Sequence, residues 1–390
     1  MDKKEKQHTL LLTLAALIAT LVVVAAVVTA WHQSDDPADQ PKHQISAVKH
    51  HADTVRDTMR RALKPQLLKP TPKPSTMIQG TLRRTDGTPV AAVTVSNGIE
   101  CVKTDSTGHY ALRRRAAAHY VYYTVPDWAE VPTHSHKDHT ACIYQRITPT
   151  DSVYDFRLKP LPTGKENRYA MLVFGDPQVT NAYSPYYTGP NDNPVKITDV
   201  ARFSKETMTD VRKTLKALPA DMPVYGLSMG DDVQYYGGFN ATLETKIRKT
   251  LGASRMRLFS VIGNHDQDGK DLYKRKWEEA WGPTDYSFDR GDEHYVCFND
   301  CHFYRGSIYW QPGELTDQQM AWLRQDLALA DKQKKVVLCY HIPLTMGTRP
   351  KKGAEPVGIA TEEGHFTSSR LAEILALLDT FKGGYKLFCG

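Results

Sequence analysis

Carboxylate, amide and imidazole side chains recur in order along the second half of this sequence, each close after an apolar run. The side chains of chemical interest are Asp176, Gln178, Asp231, Asp232, Asn264, His265 and His341. Carboxylate and amide oxygens, together with imidazole nitrogens, are the ligands that hard and borderline divalent metal ions take in proteins. A histidine among them can also transfer a proton. The residue types therefore point to metal-assisted acid–base chemistry.

The apolar runs predict the strands that position these side chains. The runs are residues 169–174, 224–229, 258–262 and 336–340. Stretches with helical spacing, among them 200–218 and 316–329, alternate with the runs. Because the carboxyl ends of parallel strands meet at one edge of a sheet, we expect an α/β sandwich with the polar side chains gathered at that edge.

Three motifs and a later histidine carry a resemblance to a known family. They are Gly175-Asp176-Pro177-Gln178, Gly230-Asp231-Asp232, Gly263-Asn264-His265-Asp266 and His341 in Cys339-Tyr340-His341-Ile342-Pro343. Each motif alone is weak, whereas the four in this order resemble the calcineurin-like metallophosphoesterases over residues 169–390. The resemblance implies an α/β sandwich of the metallophosphoesterase type and two divalent metal ions (Mn, Mg, Fe or Zn, with Mn favoured).

The resemblance also implies a role for each matching residue. Asp231 would bridge the two ions, Asp176 and Gln178 would bind one of them, and Asn264 and His341 would bind the other. His265 would contact the phosphate or protonate the leaving oxygen. Two ions about 3.5–4 Å apart would clamp the ester and supply a metal-bound hydroxide.

Two positions depart from the family pattern. Gln178 stands where the family usually has histidine, which predicts a looser metal position that leans toward Mn or Mg over Fe(III). Gln234 stands where many members have an aspartate that orients the catalytic histidine. Asp232 or Asp266 would have to take over that role, and we count Asp232 with His265 as a catalytic candidate.

The sequence ends at Gly390, where the family begins a Gly-His-x-His motif that gives one imidazole to each metal. We therefore expect a domain that is incomplete at the C-terminus and an impaired hydrolase. The substrate would be a phosphate mono- or diester, with a nucleotide, sugar or lipid-linked group left open. The tyrosines in residues 180–195 would either stack on such a group or belong to a packed surface loop. The alternative is a catalytically inactive cell-envelope protein that binds or scaffolds.

Composition narrows the class of protein further. The hydrophobic fraction of 41% and the charged fraction of 24% are ordinary for a globular protein, and 390 residues allow two or three domains. The net charge of +6 is spread out and accompanies no nucleic-acid-binding motif, so no nucleic-acid partner is expected.

The N-terminus carries a targeting pattern. Lysines in residues 1–8 precede an apolar stretch, which predicts a signal peptide or membrane anchor over 1–30. A polar, proline-containing linker follows over 31–76. We expect export to the periplasm or cell envelope, either anchored by residues 9–30 or secreted.

Residues 77–162 predict a small all-β sandwich ahead of the metallophosphoesterase domain at 167–390. Short alternating runs and the hairpin signal Asn97-Gly98 indicate strands. The module resembles the transthyretin-like, carboxypeptidase-regulatory type and would act as a spacer or docking module. His134, His136 and His139 would be either a metal cluster or, as we favour, solvated histidines of a polar loop.

Two further predictions concern residues 287–305 and the cysteines. Residues 287–305 predict paired strands with a turn near Asn299-Asp300. Of the six cysteines, Cys101 with Cys142 or Cys297 with Cys301 could form disulfides in an oxidising compartment, and free buried thiols are the alternative.

Overall fold

The computed structural model describes residues 75–180, 199–233, 241–267, 271–301, 312–346, 359–360 and 366–390. The predicted signal or anchor at 1–30, the linker as far as residue 74, Gln234 and the tyrosines within 181–195 lie outside these ranges. Within the ranges, no helix has the length and apolar character that crossing a bilayer requires.

Nine strands are described before residue 160, and seven of them form two mainly antiparallel sheets. The nine are β1 (Met77–Arg84), β2 (Thr94–Ser96), β3 (Cys101–Lys103), β4 (His109–Arg113), β5 (Tyr120–Tyr123), β6 (Thr133–Ser135), β7 (Asp138–Ala141), β8 (Tyr144–Arg146) and β9 (Phe156–Leu158). One sheet has the order β4-β1-β9 and the other β3-β2-β5-β8. The Asn97-Gly98 turn joins β2 and β3, as its sequence predicts.

Strands and helices alternate from residue 170 onward. The strands are β10 (Ala170–Phe174), β11 (Val224–Ser228), β12 (Arg257–Ser260), β13 (Tyr286–Arg290), β14 (Glu293–Cys297), β15 (Lys335–Tyr340), β16 (Thr345–Met346), β17 (Ile359–Ala360), β18 (Phe366–Thr367) and β19 (Tyr385–Cys389). The helices are α1 (Asp199–Arg202), a π-helical turn (Phe203–Thr207), α2 (Met208–Ala217), α3 (Ala241–Gly252), α4 (Asn264–Gln267), α5 (Asp271–Trp281), α6 (Asp317–Leu329) and α7 (Leu371–Leu378).

Helix α6 begins where the sequence predicts it. The Thr316 hydroxyl accepts a hydrogen bond from the Gln319 N–H, and the Gln319 side chain accepts one from the Thr316 N–H in return. This reciprocal cap satisfies two main-chain donors that the first turn of a helix would otherwise leave unpaired.

Two mixed sheets form the centre of this part, in the orders β10-β11-β12-β7-β6 and β13-β14-β15-β19. Strands β10, β11 and β12 are mutually parallel, and so are β14, β15 and β19. The sheets pack face to face, with Phe259 of β12 stacked on Phe288 of β13 at a centroid distance of 3.7 Å. Trp277 and Trp322 belong to the helical layers on the two outer faces. These mixed sheets with helices fit the predicted α/β class.

The β6–β7 hairpin ties the N-terminal strands to this core. Strand β7 pairs in parallel with β12, at Thr140 opposite Leu258, and so extends the sheet that carries much of the site. The Nδ1 atom of His139 lies 3.0 Å from the Gly252 carbonyl oxygen. The prediction of a polar loop here was wrong: His134 and His139 lie on strands, because β7 pairs with β12 far along the sequence and β6 pairs with β7.

The turn predicted at Asn299-Asp300 was also wrong. Strands β13 and β14 are antiparallel and are joined at Gly291-Asp292, where Gly291 takes a positive φ of 52°. Asn299 and Asp300 instead follow β14 into the interior. All six cysteines are free thiols, so the alternative of unpaired cysteines applies.

Candidate metal centre

The predicted site residues come together at the carboxyl ends of four strands. Asp176 and Gln178 follow β10, Asp231 and Asp232 follow β11, Asn264 and His265 begin α4 after β12, and His341 follows β15. Strands β10, β11 and β12 are parallel neighbours in the first sheet, and the end of β15 in the second sheet lies beside theirs, which explains how residues far apart in sequence become neighbours.

The turns after β10 and β11 have a strained backbone. Asp176, Gln178 and Asp231 have positive φ angles of 38°, 42° and 52°. Residues with a Cβ atom rarely take this left-handed conformation, and such strain concentrates at functional sites. The two turns hold each other in place, since the Gln178 N–H donates to the Asp231 carbonyl oxygen at 2.7 Å.

Asp231 occupies the centre of the cluster and is 2% exposed. Its Oδ1 accepts a hydrogen bond from the His265 N–H at 2.8 Å. Its Oδ2 accepts one from the Gln178 amide at 3.1 Å and lies 3.3 Å from Nε2 of His341. Burial alone would raise the pKa of Asp231, but the hydrogen bond and charge of His341 lower it below its usual value.

The His341 ring is fixed by groups on both sides. Its Nδ1–H donates to the Met229 carbonyl oxygen at 2.8 Å, and Nε2 lies 2.9 Å from Oδ1 of Asn264. Burial alone would lower the pKa of His341, but its hydrogen bond to Asp231 and the Asp231 charge raise that pKa to about 10. The Met229 contact commits Nδ1 as the donor, so Nε2 is the atom free to bind a cation.

These donors suit a divalent cation. One ligand atom from each of Asp176, Asp231 and His341 lies within 4.8 Å of the others. Burial raises the pKa of Asp176, although the nearby His341 charge opposes that shift. Two carboxylates and an imidazole form a hard-to-borderline set that fits Mn, Mg, Fe or Zn.

His265 and Asp232 have different surroundings. The His265 side chain is 28% exposed, and its Nε2 lies 3.8 Å from Oδ2 of Asp231. Asp232 is fully buried, and its carboxylate accepts hydrogen bonds from the Ser228 and Ser260 hydroxyls at 2.6 and 3.4 Å. Burial raises the pKa of Asp232 to about 6, although the two serines oppose the shift. The role of Asp232 as a catalytic residue stays a prediction.

Asp266 supports the site through the main chain. Its Oδ2 accepts hydrogen bonds from the N–H groups of Asp231 and Gly263, both at 2.8 Å. The residue is fully buried, which with the charges of Asp232 and Asp231 raises its pKa well above the usual value. Asp266 therefore joins the turns after β11 and β12. The sequence signal was its place in the Gly-Asn-His-Asp motif.

Gly390 lies beside the site at the end of β19. Its N–H donates to the His341 carbonyl oxygen at 2.9 Å. A Cβ atom built on Gly390 would stand 2.5 Å from Nδ1 of His341, so only glycine fits here without a shift.

Comparisons with known proteins give two sequence matches to phosphoesterases. The family model described as N terminal of calcineurin-like phosphoesterase matches residues 76–161. The glycerophosphodiester phosphodiesterase GpdQ of Enterobacter lignolyticus (strain SCF1) is 29% identical over 147 residues, which cover 37% of this chain and 47% of the relative. The match thus spans about half the length of that relative.

Two solved structures overlap parts of the fold. Purple acid phosphatase PPD1 from yellow lupin (Lupinus luteus) seeds has a TM-score of 0.28 and 14% identity, over 64% of this chain and 46% of that one. A streptococcal ancillary pilin has a TM-score of 0.18 and 8% identity, over 31% and 45%. Both TM-scores are too low to carry an argument.

The family model matches residues 76–161, which precede the motifs. The ordered motifs, their meeting at neighbouring strand ends and the two sequence matches point to the same family. These findings support the calcineurin-like metallophosphoesterase family for this chain.

Proposed function

We propose that this chain hydrolyses a phosphate ester at the Asp176–Asp231–His341 cluster with two divalent metal ions bound. The observation that carries the proposal is the convergence of three ligand atoms within 4.8 Å at adjoining strand ends. The GpdQ relative is a phosphodiesterase by name, so a phosphodiester is the substrate to test first.

The contacts around Asp231 support a bridging role for it. Gln178 approaches Oδ2 of Asp231 from the β10 side, and His341 approaches the same oxygen from the β15 side. One ion would be held by Asp176, Gln178 and Asp231, and the other by Asp231, Asn264 and His341. When bound, such ions neutralise charge on the phosphate and lower the pKa of a coordinated water.

The side chains of the protein divide the remaining work. Asp231 is enclosed, whereas Asp176 is 45% exposed and His265 is 28% exposed, so the cluster opens to solvent on the side of the latter two. His265 lies on this open side and can hold a proton near Asp231 for delivery to the leaving oxygen. The buried Asp231 provides a fixed negative charge that favours cation binding.

The test combines metal content with turnover. The chain purified with Mn is compared with Asp231→Asn, and with Asp210→Asn as a control that removes an exposed helix carboxylate. We expect about two ions per chain and hydrolysis of bis(p-nitrophenyl) phosphate, both lost in Asp231→Asn and retained in Asp210→Asn. No bound metal and no turnover above the Asp231→Asn level would reject the proposal in favour of a binding or scaffold protein.

We also propose that the chain is exported, on the basis of the lysine-rich start and apolar stretch in residues 1–30. A fusion of residues 1–76 to alkaline phosphatase, which is active only outside the cytoplasm, tests this. Activity of the fusion supports export, and its absence, with the fusion protein present in cells, rejects it.

A further inference from the structure

Two adjacent buried residues outside the predicted site hold the turns that carry its ligands. Asn299 and Asp300 follow β14 and are 6% and 0% exposed. A buried carboxylate is costly unless it accepts hydrogen bonds, so its partners show what it stabilises.

Asp300 holds the turn after β15. Its Oδ1 accepts hydrogen bonds from the main-chain N–H groups of His341 and Ile342, at 3.1 and 3.2 Å. Its own carbonyl oxygen accepts one from the Glu314 N–H at 3.0 Å. A Cβ atom on Gly313 would stand 2.0 Å from Oδ2 of Asp300, so the carboxylate is wedged against that glycine.

Asn299 reaches the neighbouring turn through Gln267. Its Oδ1 accepts a hydrogen bond from the Gln267 amide at 3.0 Å, and its Nδ2 donates to Oε1 of Gln267 at 3.3 Å. Gln267 closes helix α4, which begins with Asn264, and its amide also donates to the Gly263 carbonyl oxygen at 3.3 Å. Asp300 therefore contacts the turn that bears His341, and Asn299 contacts, through Gln267, the helix that bears Asn264.

We propose that Asn299 and Asp300 are positioning residues that set the distance between His341 and Asn264, and thereby the metal affinity of that half of the site. The Nε2 atom of His341 and the Oδ1 atom of Asn264 are 2.9 Å apart. Asp300 contacts the main chain of His341 directly, and Asn299 contacts the helix that begins with Asn264 through Gln267. The inference rests on the proposed function, since it assigns these residues to the same metal site. Neighbours that orient metal ligands in this way commonly contribute about 10–100-fold to affinity.

The experiment measures Mn binding by calorimetry in the full chain with Asp300→Ala and Asp300→Asn. We expect Asp300→Ala to raise the dissociation constant for Mn by about 10–100-fold. Asp300→Asn should restore most of the affinity, because its amide oxygen can still accept both N–H groups. Turnover in Asp300→Ala should recover at high Mn concentration with its kcat close to that of the wild type.

A matched control separates positioning from general stability. Asp326 is a buried carboxylate whose partners are Ser287 and His294, on the outer side of the second sheet. Asp326→Ala should unfold more readily and yet bind Mn as the wild type does. If Asp300→Ala does not fold, Gln267→Met, which removes the hydrogen bonds to Asn299 and Gly263, must weaken Mn binding instead.

The outcomes are distinguishable. Unchanged Mn affinity in the folded variant, or a loss in Asp326→Ala as large as that in Asp300→Ala, overturns the positioning role alone. A wild-type chain that binds no Mn overturns the proposed function itself, and the positioning role with it.

Discussion

At the scale of single residues, the close approach of Gly230 and Gly263 brings the ligand-bearing turns together. Gly230 has a φ of +96°, and a Cβ atom on it would lie 2.7 Å from the Gly263 nitrogen and 2.9 Å from Nδ1 of His341. A side chain at this position would meet main-chain atoms, which yield less readily than the tip of a flexible side chain.

Gly230→Ala should therefore both destabilise the fold and weaken metal binding. We expect the free energy of unfolding to fall by about 1–3 kcal/mol beyond the cost of the left-handed backbone, and the Mn affinity to fall with it. Urea unfolding and Mn calorimetry provide the two measurements.

Gly98→Ala is the matched control for this prediction. Gly98 has a φ of +80°, and among the described residues no atom lies within 4 Å of its added Cβ. We expect the free energy of unfolding of Gly98→Ala to fall by about 1–2 kcal/mol and its Mn affinity to stay unchanged. Equal losses of stability in the two variants would show that backbone strain alone accounts for the effect.

The site residues were also the most predictable part of the molecule. Asp176, Asp231, Asn264 and His341 closely follow apolar runs, so strand prediction was enough to place them at strand ends, although it did not show that β15 belongs to a second sheet. Asp300 escaped prediction because an Asn-Asp pair is typical of turns, and its two main-chain partners lie in a distant part of the sequence.

At the scale of elements, a part-buried ion pair joins the β6–β7 hairpin to α3. The Arg248 guanidinium lies 2.8 Å from Oδ2 of Asp138, and the two side chains are 8% and 13% exposed. The Thr140 hydroxyl donates to the other oxygen of Asp138 at 2.7 Å. Asp138 thus connects the hairpin to the helix that covers the first sheet.

Arg248→Ala should destabilise the protein by about 1–3 kcal/mol, because it leaves the half-buried Asp138 carboxylate without its ion-pair partner. Urea unfolding gives this value. Lys213→Ala, which breaks the exposed Lys213–Asp210 pair, should cost no more than about 1 kcal/mol. The double variant Asp138→Ala/Arg248→Ala should cost less than the two single changes together, and strict additivity would contradict the pairing.

Element prediction failed where pairing is non-local. The start of α6 at Thr316 and the β2–β3 hairpin depend on local signals, and both were predicted. The pairing of β7 with β12 was missed because the sequence around His134–His139 is polar and its partner strand is remote. A strand stabilised by a partner outside its own segment leaves little trace in local composition.

At the scale of the whole molecule, one buried network joins the N-terminal strands, the second sheet and α6. The Thr124 and Ser287 hydroxyls are 2.8 Å apart, and Ser287 donates to Asp326 at 2.7 Å. His294 lies between Asp326 and Asp289, with nitrogen–oxygen distances of 2.9 and 2.7 Å. Burial alone would lower the pKa of His294, but the two carboxylates raise it from 6.5 to about 10.

This network predicts a pH-dependent stability. A raised histidine pKa means that the folded state binds the proton more tightly than the unfolded state. The contribution of His294 is therefore complete below its unfolded pKa of 6.5 and is lost as the pH rises through about 10. The difference in unfolding free energy between wild type and His294→Gln should shrink by on the order of 3 kcal/mol between pH 7 and pH 10. A difference that is constant across this range would show that His294 is not charged in the folded state.

The shared sheet also predicts the behaviour of a fragment. Residues 163–390 alone would leave β12 without its β7 partner and expose an unpaired strand edge, which favours aggregation. We expect this fragment to aggregate at concentrations where residues 75–390 stay monomeric, as measured by light scattering. A monodisperse fragment with intact Mn binding would show that β7 is dispensable.

The pairing of β7 with β12 has a consequence for how this protein can change over evolutionary time. Modules joined only by a linker can be exchanged by recombination, since neither module contacts the other. Here Thr140 of β7 pairs with Leu258 of β12 across the junction, so a foreign N-terminal module would have to bring a strand of matching direction and register. We therefore expect the two halves to be inherited as one unit. Substitutions in the β6–β7 hairpin should be accompanied by substitutions along β12 and α3.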